Sequence, residues 1–241
     1  MTRFFVSSEE LKLSEIILSG ENAAHARVLR LKAGEELLLC DGQGNDALCC
    51  VLDGEKLLLQ VLERRNSVTE PAVRVSVYMA FPKADKLEHV IQKATELGVY
   101  EIVAFPSARC VSKPDDKSLK KKLERWQKIA SSAAEQSGRG VIPKVIVLGG
   151  FKEALSRAKE AEMPILLYEN ERATTLKMAL EAKPLTTVSL ISGPEGGLDE
   201  REVEQAKEAG VQICTLGRRI LRCETAPLCA LSAVMYQAGE F

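Results

Sequence analysis

The sequence has little of what metal and redox sites are made from. It contains two histidines, His25 and His89, in separate regions, and its seven cysteines (Cys40, Cys49, Cys50, Cys110, Cys214, Cys223, Cys229) form no Cys-x-x-Cys pair. A structural zinc site needs closely spaced Cys and His ligands, so no metal is expected and free, mostly buried thiols are. Neither a G-x-x-x-x-G-K-[ST] nor a G-x-G-x-x-G segment occurs. Those are the loops whose backbone cradles phosphates, and without them a kinase or a nicotinamide dehydrogenase loses its main support. Apolar residues reach 46%, enough for a substantial core, yet no apolar run approaches the ~20 residues of a membrane span. Phe4-Phe5-Val6 is soon followed by Glu9-Glu10, which is not a secretory signal pattern. A cytoplasmic globular protein with no membrane partner is the expectation. Charge of one sign is also lacking: the formal net charge is -1, so a polyanion would have to be held by a local patch. Residues 1–70 carry 8 Lys+Arg against 12 Asp+Glu and the remainder 25 against 22, with 12 against 8 between residues 83 and 140.

What is present divides near residue 70. The first part favours short strands, Arg3 to Val6, Glu36 to Cys40, Asp46 to Leu52 and Lys56 to Leu62, joined by Asp-Gly turns, which predicts a small antiparallel barrel or meander. One helix, Glu21 to Leu31, interrupts them, with Ala24, Val28 and Leu31 as its apolar stripe. The polar stretch Arg64 to Ala72 contains Pro71 and reads as a linker. Strands and helices then alternate: Val73 to Phe81, helix Asp85 to Leu97, Glu101 to Phe105, helix Lys117 to Ser137, Lys144 to Leu148, helix Phe151 to Ala161, Pro164 to Tyr168, helix Thr174 to Leu180, Thr187 to Ser192, helix Asp199 to Ala209, Gln212 to Thr215 and helix Thr225 to Gln237. Such alternation implies an α/β fold with a mainly parallel sheet covered on both faces. The domains expected are residues 1–70 and 73–241. The Lys120-Lys121-Lys122 run, opposite the stripe Leu119, Leu123, Trp126, Ala130 and Ala133, reads as a solvated helix face.

The chemistry concentrates near the C-terminus. Ile191 to Gly197 (I-S-G-P-E-G-G) and Leu216-Gly217 are glycine turns placed directly after short apolar runs. Glycine lets the backbone approach a ligand at the carboxyl end of a strand. Asp199, Glu200 and Glu202 suit a helix N-terminus and would repel a phosphate, so a nucleoside without phosphates fits the first turn better than ATP or NAD. Arg218, Arg219 and Arg222 follow the second turn, where substrate contact becomes the better reading for arginines so grouped.

These segments carry a resemblance. G-P-E-G-G at 193–197 and L-G-R-R-I-L-R-C-E-T-A at 216–226, with H-A-R-V-L-R at 25–30, K-A-T-E-L-G-V at 93–99, E-R-W-Q-K-I-A at 124–130 and A-E-Q-S-G-R at 134–139, resemble the bacterial RsmE-type methyltransferases of the SPOUT superfamily. The six motifs span nearly the whole chain in order. The resemblance implies a PUA-like β-barrel domain, an α/β domain with a deep C-terminal trefoil knot, a homodimer, and transfer of a methyl group from S-adenosylmethionine to ring nitrogen 3 of a uridine in small-subunit ribosomal RNA. A related enzyme acting on transfer RNA or another ribosomal position, or a non-catalytic RNA-binding assembly factor, are the alternatives. The donor is expected among Leu167, Glu169, Ser192, Gly193, Pro194, Glu195, Gly196, Gly197, Leu216, Gly217, Ile220, Leu221, Arg222 and Thr225.

Methylating a uracil nitrogen requires loss of its proton, and the negative charge spreads onto the flanking carbonyl oxygens. A positioned base or a cation near them lowers the barrier. Arg222 is the first candidate for that cation and Arg139 the second, with Glu195 and Glu224 as candidate bases. RNA contact is expected from Arg3, His25, Arg27, Arg30, Lys83, Lys86, Lys93, Arg109 and Lys113. For His25, packing against the fold is an equal alternative. Cys223 departs from the family pattern close to the donor, and oxidation sensitivity is expected there; Pro227 and Cys229 also depart from it.

Overall fold

The computed structural model describes residues 1–111 and 116–241, Asp116 through its helical backbone only. Lys113 lies outside the described residues. Contacts divide the chain into two units: Met1–Glu70 with Ala134–Ile142, and Pro71–Ala133 with Pro143–Phe241.

The first unit is built on strands β1 (Arg3–Phe5), β2 (Glu15–Ile17), β3 (Glu36–Cys40), β4 (Asn45–Asp53) and β5 (Leu58–Asn66), with helix α1 (Gly20–Leu29) between β2 and β3. They form one sheet in the order β1-β3-β4-β5-β2. Alternation along β4 turns Ala47, Cys49 and Val51 inward onto Phe4, Leu37, Leu39 and Leu59, as the two-residue period of a strand requires. The sheet is mixed, not wholly antiparallel as expected, because β1 runs parallel to β3 with Arg3 opposite Leu38. Parallel pairing needs a long crossover, and the segment holding β2 and α1 supplies it. Strand β5 also continues through Arg64 and Arg65, opposite Ala47 and Asp46, so part of the expected linker is paired strand whose polar side chains face solvent.

Helix α1 buries Ala23 and Ala26, whereas Val28 is 78% exposed. The expected stripe fails because Ala23 and Ala26, not Ala24 and Val28, face the core; the helix ends at Leu29 with Arg30 left-handed at φ 54, and Leu31 reaches the core from beyond the helix.

The second unit holds a six-stranded sheet of β6 (Arg74–Ala80), β7 (Glu101–Phe105), β8 (Lys144–Val147), β9 (Met163–Leu167), β10 (Thr187–Ser192) and β11 (Gln212–Cys214), in the order β11-β9-β10-β6-β7-β8. Every pairing in it is parallel. Strands buried on both faces read as continuous apolar runs, and β7 is buried along its whole length. The helices are α2 (Lys86–Glu96), α3 (Asp116–Ser137), α4 (Phe151–Ala158), α5 (Leu176–Glu181), α6 (Glu200–Glu208) and α7 (Thr225–Gln237). Helix α2 buries Leu87, Val90, Ile91 and Ala94, the face its spacing predicts. On α3, Trp126, Ala130 and Ala133 are buried and Lys120, Lys121 and Lys122 are exposed. Among the described residues no helix is long and apolar enough to cross a membrane.

Candidate active site

Strands β9, β10 and β11 are parallel neighbours, so their carboxyl ends lie along one edge of the sheet, where open α/β sheets receive ligands. The loops that follow them line a cleft of about 580 Å³. Its walls are Leu167, Tyr168, Glu169 and Arg172 after β9, Ser192 through Gly197 after β10, and Thr215 through Cys223 after β11, with Lys86 and Ala226. Thus the donor residues expected from the sequence are brought together with one exception. Thr225 is exposed at the start of α7 and is not part of this lining.

Each loop is fixed by local chemistry. In the turn after β10 the Gly197 N–H donates to the Pro194 carbonyl at 2.9 Å. Gly197 has φ +68, and a methyl group there would strike the Glu169 carboxylate; one at Gly193 would come within 2.8 Å of the Gly197 carbonyl carbon. Glycine is therefore required by conformation at one position and by backbone contact at the other. Asp199 then caps α6 in a reciprocal capping box with Glu202, which accounts for the acids after the turn. Arg109 binds the same segment, donating to the Gly196 carbonyl at 3.2 Å and pairing with Asp199 at 3.4 Å.

The loop after β9 carries no glycine motif, which is why Tyr168 and Arg172 escaped the sequence reading. Glu171 accepts backbone N–H groups from Ala173, Arg172 and Thr174 at 2.6, 2.8 and 3.1 Å. Those bonds hold its carboxyl below the usual range and fix the loop, while Arg172 donates to the Glu169 carbonyl at 2.6 Å. After β11, Thr215 Oγ1 accepts the Gly217 N–H at 3.2 Å and Gly217 takes φ +106. Arg218, Arg219 and Arg222 are all exposed there, and Ile220 is 84% exposed. The Arg222 carbonyl accepts N–H groups from Thr225 and Ala226 at 2.9 and 3.0 Å, which ties this loop to the first turn of α7.

The acids of the cleft are organised by one cation. Lys86 Nζ lies 2.9 Å from Glu195 Oε1 and 3.4 Å from Glu224 Oε2. Burial alone would raise the Glu195 carboxyl, but Lys86 and the Lys83 N–H outweigh it and hold it below the usual carboxylate range. At Glu224, burial is likewise outweighed by its own backbone N–H, Cys223 and Lys86. Both are ionised but weakened as bases. Burial and Glu224 push the Cys223 thiol up to about 12, which favours the thiol over the thiolate.

Several expected contacts are relocated. Arg139 is 4% exposed and its guanidinium pairs with Glu70 at 2.6 Å; it belongs to the first unit and is absent from the cleft lining. Arg3 is 7% exposed and paired with Asp46 at 3.2 Å, which removes it from any RNA-facing surface. In both cases a lone sequence position could not reveal the carboxylate partner, buried at Asp46 and half-buried at Glu70. Lys86 is engaged inside the cleft, Lys93 pairs with Glu96 on α2 at 2.8 Å, and Arg109 is held by the turn. His25 packs edge-on against Phe4 with ring centroids 5.4 Å apart and sits 3.2 Å from Glu135. Arg27, Arg30 and Lys83 are exposed. Among the described residues no group of three or more His, Cys, Asp or Glu is placed to hold a metal ion.

Residues 69–235 match the RNA methyltransferase domain family and residues 18–63 the RNA methyltransferase PUA domain. The chain is 38% identical to the ribosomal RNA small subunit methyltransferase E of Bacillus subtilis, covering 98% of this chain and 97% of that protein. It is 35% identical to the protein of that name in Mesomycoplasma hyopneumoniae, over 96% and 98%. Among solved structures, a ribosomal RNA small subunit methyltransferase E from Neisseria gonorrhoeae bound to S-adenosyl methionine superposes with a TM-score of 0.82 at 34% identity, covering 98% of this chain and 97% of that one. The chain belongs to the ribosomal RNA small subunit methyltransferase E family of RNA methyltransferases.

Proposed function

We propose that this enzyme transfers a methyl group from S-adenosylmethionine to ring nitrogen 3 of a uridine in small-subunit ribosomal RNA. The observation that carries the reading is the meeting of three loops, after β9, β10 and β11, in one cleft of about 580 Å³, within the size range of small-molecule sites. The donor set fits the cofactor. Leu167, Leu216 and Leu221 offer apolar walls for an adenine ring, and the Glu169 and Glu195 carboxylates are acceptors for hydroxyl and ammonium groups. When bound, S-adenosylmethionine supplies an electrophilic methyl on a positively charged sulfur.

The chain's own task is to bind, orient and balance charge. Arg222, exposed on the second turn and lining the cleft, is assigned to the carbonyl oxygens of the deprotonated uracil, where a fixed cation stabilises developing negative charge. No proton-accepting role is assigned to Glu195 or Glu224, which are weakened as bases; the N3 proton leaves to solvent water, and the donor departs as S-adenosylhomocysteine. RNA would be gathered by exposed cations, Arg27 and Arg30 on the first unit and Lys83 on the second.

The trefoil knot and the homodimer belong to the same proposal. Helix α7 packs on β6, β10, α2 and α5, so the chain leaving edge strand β11 returns to the middle of the sheet, as a threaded C-terminus would. Ile220, Met178 and Tyr236 are 84%, 57% and 73% exposed, and a second copy covering them would close the cleft from outside. A cytoplasmic location follows from a ribosomal substrate.

Labelled methyl transfer to small subunits lacking the modification, with the product nucleoside identified, tests the reading. Incorporation at uridine N3 is expected. No incorporation under conditions where the donor is bound would overturn it.

A further inference from the structure

The residues that precede α2 break three local rules at once. Lys86 occupies the first helical position, where the helix dipole favours acids and disfavours a cation. Asp85, at the N-cap, makes no side-chain capping bond. Ala84, two residues before, is left-handed at φ +55, a conformation that a residue with a Cβ holds only when its surroundings impose it. Local rules broken together mark a functional site more often than a defect.

What imposes this conformation is the cleft. Glu195, from the turn after β10, accepts the Lys83 N–H at 3.0 Å and the Lys86 ammonium at 2.9 Å. Glu224, from the segment after β11, takes the same ammonium at 3.4 Å, and the Cys223 sulfur lies 3.8 Å from it. The three charged side chains are 20% to 29% exposed. This differs from an isolated surface pair, whose contribution is small: one cation is shared by two carboxylates from different loops.

We propose that Lys86 is a positioning residue that clasps the two glycine-turn loops together, through Glu195 on one and Glu224 on the other, so that the donor cleft is shaped before any ligand enters. The proposal rests on reading this cleft as the methyl-donor site. Lys86 acts through the two acids and needs no contact with the reacting atoms. Its role also differs from the RNA contact that its position among the basic residues of the sequence suggests.

The test compares the full-length chain with Lys86→Met and Lys86→Arg. Hydrogen exchange of the ligand-free protein reads the loops directly, and calorimetry with S-adenosylmethionine reads the cleft. In Lys86→Met, faster exchange is expected in residues 193–198 and 216–224 together, with the rest of the second unit unchanged. Donor affinity is expected to fall by about tenfold, while kcat at saturating donor changes less. Lys86→Arg, which keeps a cation able to reach both carboxylates, is expected to restore most of both readouts. Unchanged exchange in the two loops would overturn the clasp. So would uniformly faster exchange across the unit, which would make Lys86 a general stabiliser. Unchanged donor affinity with a salt slope for RNA binding reduced by about 0.7 to 0.9 would overturn it in favour of a phosphate contact. If the wild-type chain binds no S-adenosylmethionine and the two loops still loosen in Lys86→Met, the clasp stands and the donor reading falls.

Discussion

At the scale of the residue, the cleft separates groups that bind from groups that react. Arg222 reaches the lining from an exposed loop and has no carboxylate within ion-pair distance among the described residues, whereas Arg139 is buried against Glu70. Arg222→Ala is therefore expected to lower kcat by about 10² or more, the scale for losing one charge-stabilising donor, with donor affinity changed far less. Equal losses in single-turnover rate and calorimetric affinity would make Arg222 a cofactor residue instead. The acids beside it give a pH signature. Glu195 and Glu224 titrate below their ordinary value of 4.5 in the folded chain. A carboxyl so depressed contributes stability that is fully present above its unfolded pKa and is lost as pH falls through the folded value. The thermal midpoint is thus expected to drop as the pH is lowered below about 4.5, and to drop somewhat less steeply in Lys86→Met, which has lost one of the groups that lower both carboxyls; an acid titration of both proteins checks this.

At the scale of the element, what could be read from the sequence was what repeats. Helix α2 shows its buried face in the spacing of Leu87, Val90, Ile91 and Ala94, and the acids after Gly197 announce the start of α6. Replacing the α6 cap, Asp199→Ala, is expected to cost about 1 kcal/mol, within the usual range of 0.5 to 2, measurable by denaturant unfolding. It should also loosen Arg109, which pairs with Asp199 at 3.4 Å. Elements without a periodic signal were misread. Helix α1 buries only two alanines, so spacing could not choose its inner face, and β2 is three residues long. The glycine turns after β10 and β11 were legible because their conformation demands glycine. The loop after β9 entered only through the resemblance, by Leu167 and Glu169, since Glu171 holds it with side-chain bonds that no motif encodes. The surroundings of Lys86 were hidden for a related reason: its charge suggests RNA, and only the fold brings Glu195 and Glu224, more than a hundred residues away, onto its ammonium.

At the scale of the whole molecule, a chain of net charge -1 must bind a polyanion through chosen residues. Arg27→Ala and Arg30→Ala are expected to weaken RNA binding and lower the salt slope by about 0.7 to 0.9 per lost phosphate contact, whereas neutralising Arg3 should instead destabilise the fold by about 3 to 5 kcal/mol through the stranded Asp46. Affinity measured across a salt series, with unfolding of the same variants, distinguishes the two. The first unit also has a history written into it. Residues 134–142 join it from far along the chain: Arg139 pairs with Glu70, the Gly44 N–H donates to the Gly140 carbonyl at 3.1 Å and the Ile142 N–H to the Gly42 carbonyl at 3.0 Å. During synthesis the five strands and their core residues emerge first, and the contacts from residues 134–142 follow only after β7 and α3 have been translated. A nascent chain released after residue 70 should be readily proteolysed, and one extended past residue 142 should become resistant over that same stretch.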